Sequence, residues 1–128
     1  MWTRTNYAAD RGERNDCSVR AFSIAACVSY EEAYRLFAEQ GREPRRGTLD
    51  VVTRAVITNN VPTSRELSQA ELKSVKEPRL TIPKFAQKYN KGHFIVHSRN
   101  HALAIVDGVI HDWKLRPRTK VWQAWQLV

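Results

Sequence analysis

His101-Ala102-Leu103-Ala104-Ile105-Val106-Asp107-Gly108-Val109-Ile110-His111-Asp112 is the stretch whose reading decides the fold. Two strand-like runs, His101–Val106 and Val109–Trp113, flank Asp107-Gly108. That dipeptide accepts the positive φ angles of a tight two-residue hairpin turn. Val106 then pairs with Val109, Leu103 lies opposite Asp112, and His101 lies opposite Lys114. Alternate residues share a face, so His101, Leu103, Ile105, Ile110, Asp112 and Lys114 project from one side. Asp112 becomes the diagonal neighbour of His101, about 7–8 Å away between backbones and within side-chain reach. A carboxylate so placed can hold an imidazole in one tautomer and one orientation. His111 falls on the other face, opposite Ala104.

Outward from the hairpin the strand texture continues. Ser98-Arg99-Asn100 reads as a turn, Phe94-Ile95-Val96 as a preceding strand and Val121–Leu127 as a following one. The N-terminal half has helical spacing instead. Asn15 and Asp16 offer cap chemistry for a helix from Cys17 to Val28, apolar nearly all round and therefore central. Ser29 with Glu32 forms a capping-box pattern for a second helix that stops at Gly41. After the basic loop 42–47, Thr48 caps a third helix ending near Asn59-Asn60. A short strand near Val61 and a helical turn around Gln69–Leu72 follow. Thr81 opens a short helix with Pro83 in its first turn, closed by Asn90-Lys91-Gly92. Helices first and an antiparallel sheet last describe an α+β fold, with residues 1–128 as one domain and 1–14 as a polar arm.

Hydrophobic residues make up 42% of the 128 and charged residues 27%, the balance of a globular chain and not a disordered one. No apolar run approaches the roughly 20 residues of a membrane span, and the N-terminus lacks the apolar core of a signal peptide. The expected location is the cytoplasm, with no membrane partner. The net charge of +8 suits acidic partners, either nucleic acid or an anionic protein surface, and equally a surface charged only for solubility; no nucleic-acid motif accompanies it. Lys114, Arg116, Arg118 and Lys120 alternate as a basic stripe on an extended segment, and Arg42, Arg45 and Arg46 form a second basic cluster. The stripe reads either as a solvated edge that discourages strand pairing or as a face for an acidic substrate. Trp113, Trp122 and Trp125 are core residues or the lining of a cleft.

Cys17 and Cys27 share one helix, where ten residues at about 1.5 Å rise place them roughly 15 Å apart, too far for a disulfide. Cys27 lies in the apolar part and reads as core. Cys17 opens the helix, where the macrodipole and unbonded N–H groups favour an anion, and a neighbouring imidazolium lowers a thiol pKa further. Its backbone N–H is placed to stabilise an oxyanion. Cys17, His101 and Asp112 thus read as nucleophile, base and orienter, with His97 as the runner-up base. His93, His97 and His101 are spaced four apart, which on a helix would suggest metal ligands. On strands that alignment weakens, so no metal and no cofactor are expected.

Asn15-Asp16-Cys17-Ser18-Val19-Arg20-Ala21, Gly92-His93-Phe94-Ile95-Val96, and His101 through Gly108 with Asp112-Trp113 resemble small papain-like cysteine peptidase superfamily proteins of phages and bacteria. The resemblance covers about residues 15–113. It implies a papain-like fold and a cytoplasmic hydrolase (host cytoplasm for a phage protein). It carries the nucleophile to Cys17, the base to His101 and the orienter to Asp112. The family's Gln oxyanion donor, six residues before the Cys, is replaced by Arg11, leaving Asn15 or Asn6 as candidates. Ser18 stands where papain has an aromatic residue. The implied activity is hydrolysis of a peptide, isopeptide or amide bond in a protein or peptide substrate through an acyl-enzyme. The alternatives are a transglutaminase-like acyltransferase and a basic interaction or inhibitor module on the same scaffold.

Overall fold

The computed structural model describes residues 2–4, 16–43, 48, 50–114 and 116–127. In chain order these form β1 (Trp2–Arg4), α1 (Cys17–Ala26), α2 (Tyr30–Glu39), α3 (Asp50–Asn60) and β2 (Arg65–Glu66). A 3-10 helix (Gln69–Leu72) precedes α4 (Ile82–Lys88), β3 (His93–Ser98), β4 (His101–Val106), β5 (Val109–Asp112) and β6 (Gln123–Gln126). The chain is α+β, and among the described residues the strands form one six-stranded sheet ordered β1-β5-β4-β3-β6-β2.

Local chemistry accounts for most boundaries. Asp107 and Gly108 both have positive φ, 49° and 79°, and the pairs Val106↔Val109, Ile105↔Ile110 and Ala104↔His111 follow from that turn. The Asp107 carboxylate also accepts the Gly92 N–H at 2.8 Å, tying the turn to the entry of β3. Ser29, Ser68 and Thr81 each cap a helix by accepting an N–H three residues on, and Ser68 with Glu71 completes a capping box.

Three expectations are corrected. The sheet is mixed, because β1 lies parallel to β5 with Trp2↔Ile110 and Arg4↔Asp112, so residues 2–4 are an edge strand and not part of a loop. The strand expected near Val61 sits at Arg65–Glu66, where it pairs with β6. Helix α1 stops at Ala26: Cys27 takes the left-handed conformation, φ 58°, as C-cap and is exposed with both thiols free. Cys27 is therefore not core.

The uninterrupted apolar runs of β3 and β4 arise because both faces of the sheet are covered. Ile95, Ala102, Ala104 and Trp125 face a layer built from α1, α2 and α3, including Phe22, Phe37, Val56 and Ile57. Phe94, Val96, Leu103 and Ile105 face a second layer with Leu72, Ile82, Phe85 and Val121. The small Ala102 and Ala104 let α1 pack closely across β4. Truncating a fully buried aromatic such as Phe22, which meets Phe37 edge-on at 5.8 Å, costs about 3–5 kcal/mol. No helix of the described residues is long and apolar enough to cross a membrane.

Candidate functional site

Asp16 is the N-cap residue of α1, but its side chain makes no capping bond. The carboxylate is fully buried, accepts the Tyr30 hydroxyl at 2.8 Å and pairs with Arg20 at 3.5 Å. The expected capping role of Asp16 is thus replaced by a tether between α1 and α2. The first helical residue is Cys17, so its sulfur stands at the positive end of the macrodipole.

Helix α1 packs on the Ala102/Ala104 face, which brings Cys17 to the start of β4. There the thiol lies beside the His101 ring, the Ala102 backbone and Ser18, and all three favour its thiolate. His101 Nε2 donates to Asp112 Oδ1 at 2.9 Å, which leaves Nδ1 for the sulfur. The structure therefore brings together the three residues that the hairpin register and the helix start had pointed to. Trp113 packs edge-on against the imidazole at 4.4 Å between ring centres.

Asp112 is 2% exposed and bonded on both oxygens. Oδ1 also accepts the Trp113 N–H at 2.8 Å, and Oδ2 accepts Arg116 Nε at 2.9 Å. Burial alone would raise its pKa; the bond to His101, the charges of His101 and Arg116 and the Trp113 amide together hold it below the ordinary carboxylate value. For His101, burial lowers the pKa, but the bonds and charges of Asp112 and Cys17 outweigh it and raise it. For Cys17, burial raises the pKa, while the bond and charge of His101, the Ala102 backbone and Ser18 bring it below the ordinary thiol value. Opposite shifts on thiol and imidazole move the proton toward the ring, and a thiolate is the nucleophilic form.

Arg116 was read as one member of a basic stripe. The structure instead half-buries it against Asp112 and over the Trp113 ring at 5.4 Å, while Lys120 pairs with Glu77. No periodicity in the irregular segment between β5 and β6 marks Arg116 out. Arg42, expected in an exposed basic cluster, is 7% exposed and lies over Tyr34. Arg45 and Arg46, like the oxyanion candidates Asn15 and Asn6, lie outside the described residues.

His97, the runner-up base, also has a carboxylate. Its Nδ1 donates to Asp50 Oδ1 at 3.2 Å, and its ring meets Trp125 edge-on at 4.8 Å. The Gln123 amide reaches Asp50 Oδ2 at 3.2 Å with its nitrogen and Arg54 at 3.1 Å with its oxygen. Burial dominates here and lowers the His97 pKa despite Asp50. His93 Nδ1 donates to the Ala25 carbonyl at 2.8 Å. The three histidines spaced by four therefore go to three different partners, and no group of three metal-ligating side chains occurs among the described residues.

The site opens into a cleft of about 1190 Å³ lined by Cys17, His97, His101, Arg79, Arg99 and Trp122, among others. Trp113 and Trp122 line it, whereas Trp125 is core. Nothing similar stands beside this arrangement: no protein-family model, no curated protein and no solved structure matches the chain.

Proposed function

We propose that this chain is a papain-like thiol hydrolase acting on a peptide, isopeptide or amide bond. The observation that carries the reading is the Cys17–His101–Asp112 relay, in which thiol and imidazole have pKa shifts of opposite sign. Cys17 Sγ attacks the carbonyl carbon, and the Cys17 backbone N–H faces the developing oxyanion. His101 gives its proton to the departing amine as the C–N bond breaks, leaving a thioester on Cys17. Water then adds to the thioester carbonyl and loses its proton to His101. The C–S bond breaks, the acid leaves and the thiolate–imidazolium pair returns. Asp112 stays ionised throughout and orients the ring. An amine in place of water converts the same acyl-enzyme to a transferase.

The deciding experiment is the pH dependence of Cys17 alkylation by iodoacetamide, with mass spectrometry separating it from Cys27. The expected result is rapid labelling with an apparent pKa below about 8.5, moved upward in His101→Ala. An ordinary profile indifferent to His101 overturns the proposal.

The charge of +8 favours a second reading, a basic interaction or inhibitor module that uses the scaffold without chemistry. Salt-sensitive capture of an acidic protein or nucleic acid, equal in wild type and Cys17→Ala, is its signature.

A further inference from the structure

Arg79 and Arg99 reach the Cys17 cleft from separate parts of the chain and converge on one side chain. The Arg79 guanidinium lies 3.8 Å from the centre of the Trp122 ring and that of Arg99 lies 5.1 Å from it. Arg79 is held further by Nη1, which donates to the carbonyls of Val121 and Trp122 at 3.3 and 3.2 Å. Arg99 sits in the turn between β3 and β4, two positions before His101.

Five other described arginines make the contrast, one of them, Arg116, in the same cleft. Arg20, Arg35, Arg54, Arg65 and Arg116 each hold a carboxylate. Arg79 and Arg99 hold none among the described residues, although both line the cleft. Stacking on an indole fixes a guanidinium in place without neutralising it, so its outward N–H fork remains available for an anion. Asp50 also lines the cleft, but its carboxylate already holds His97 and Gln123.

We infer that Arg79, Trp122 and Arg99 form an anion subsite that binds an acidic side chain of a peptide whose carbonyl is presented to Cys17. The inference rests on the hydrolase reading for the role of Cys17 and adds the substrate class. An acidic peptide suits the site better than a nucleic acid, because the Trp122 ring is occupied by cations and not left open for base stacking.

The test measures protection of Cys17 from iodoacetamide, an uncharged reagent, in the full chain at low ionic strength. The probes are blocked hexaglutamate, blocked hexaserine and single-stranded hexathymidylate, each added to wild type, Arg99→Gln and Arg99→Glu. The rate ratio with and without probe is taken for each protein, so a change in thiol reactivity itself cancels. Hexaglutamate is expected to slow labelling in wild type while hexaserine does not. Its apparent affinity should fall roughly threefold to tenfold in Arg99→Gln and further in Arg99→Glu. Arg79→Gln repeats the measurement on the second guanidinium. Equal effects of hexaglutamate and hexaserine, protection by hexathymidylate alone, or indifference to all these substitutions overturns the subsite. The probe-free pH profile separates the two claims: an ordinary thiol profile with hexaglutamate protection retained sinks the hydrolase and keeps the subsite. A lowered profile without protection does the reverse.

Discussion

Two histidines of the same cleft each pair with an aspartate, yet their pKa values move in opposite directions. His101 is paired with a carboxylate that is 2% exposed, whereas the Asp50 side chain beside His97 is 64% exposed. Both rings are buried, which by itself lowers both pKa values. The difference lies in what opposes burial. Asp112 is shielded from water, so its charge acts on His101 at close range, and the Cys17 thiol adds a second partner. Asp50 is solvated, so its attraction is screened and burial wins. The pairing of residue types does not determine the chemistry; the burial of the carboxylate and the second contact of the ring do.

The comparison breaks most readily at Asp112. Asp112→Ala leaves the buried charges of Arg116 and His101 without their shared partner, and urea denaturation should show a loss of about 3–5 kcal/mol. A loss below about 1 kcal/mol would mean that the buried carboxylate is no stronger a partner than an exposed one.

The next largest effect concerns the thiol. His101→Ala should raise the apparent pKa of Cys17 alkylation by a unit or more, about 1.4 kcal/mol, while His97→Ala leaves it near the wild-type value. Equal effects from the two histidines would erase the functional distinction.

Stability against pH sharpens the contrast because the two rings contribute with opposite sign. His97 is depressed in the fold, so its contribution is present above about pH 6.5 and is lost as pH falls through its folded pKa. His101 is raised, so its contribution is full below about pH 6.5 and is lost as pH rises through its folded pKa. A Cys17→Ser background leaves Asp112 as the partner that raises His101. There, His101→Gln should cost most in acid, with the deficit shrinking as pH rises. His97→Gln should flatten the acid-side fall instead, by up to about 1.4 kcal/mol per pH unit. Chemical denaturation from pH 5 to 8 reads both slopes, and slopes of the same sign would contradict the assignment.

The smallest effect is expected at Asp50. Asp50→Asn removes an exposed charge whose place an amide can partly fill, so stability should change by about 0–1 kcal/mol in the same assay. A cost comparable with Asp112→Ala would show that the second pair is as deeply coupled as the first.

Much of the site was legible because it hangs on local rules. The Asp107-Gly108 turn sets the β4–β5 register, and the register alone brings Asp112 within reach of His101. The start of α1 at Cys17 was read from a cap that the Asp16 side chain does not supply, whereas the caps at Ser29 and Thr81 come from side chains that reach only three residues ahead. Residues with no such short-range signature were missed or misread. Cys27 sits where the apolar period runs on to Val28, two residues past the true end of α1, and periodicity cannot tell the last helical residue from its cap.

The sequence by itself determined an α+β chain with a Cys-led helix, a hairpin carrying His and Asp at matched positions, and a basic surplus. These depend on hydrogen bonds and side-chain periods spanning a few residues. Only the tertiary structure decided that residues 2–4 lie parallel to β5, that Arg116 shares Asp112, that Asp50 serves His97, and that Arg79 and Arg99 meet on Trp122. Most of these contacts join segments tens of residues apart, and even Arg116, four residues from Asp112, is placed by an irregular turn. Packing around the sheet selects them, and no local pattern encodes them.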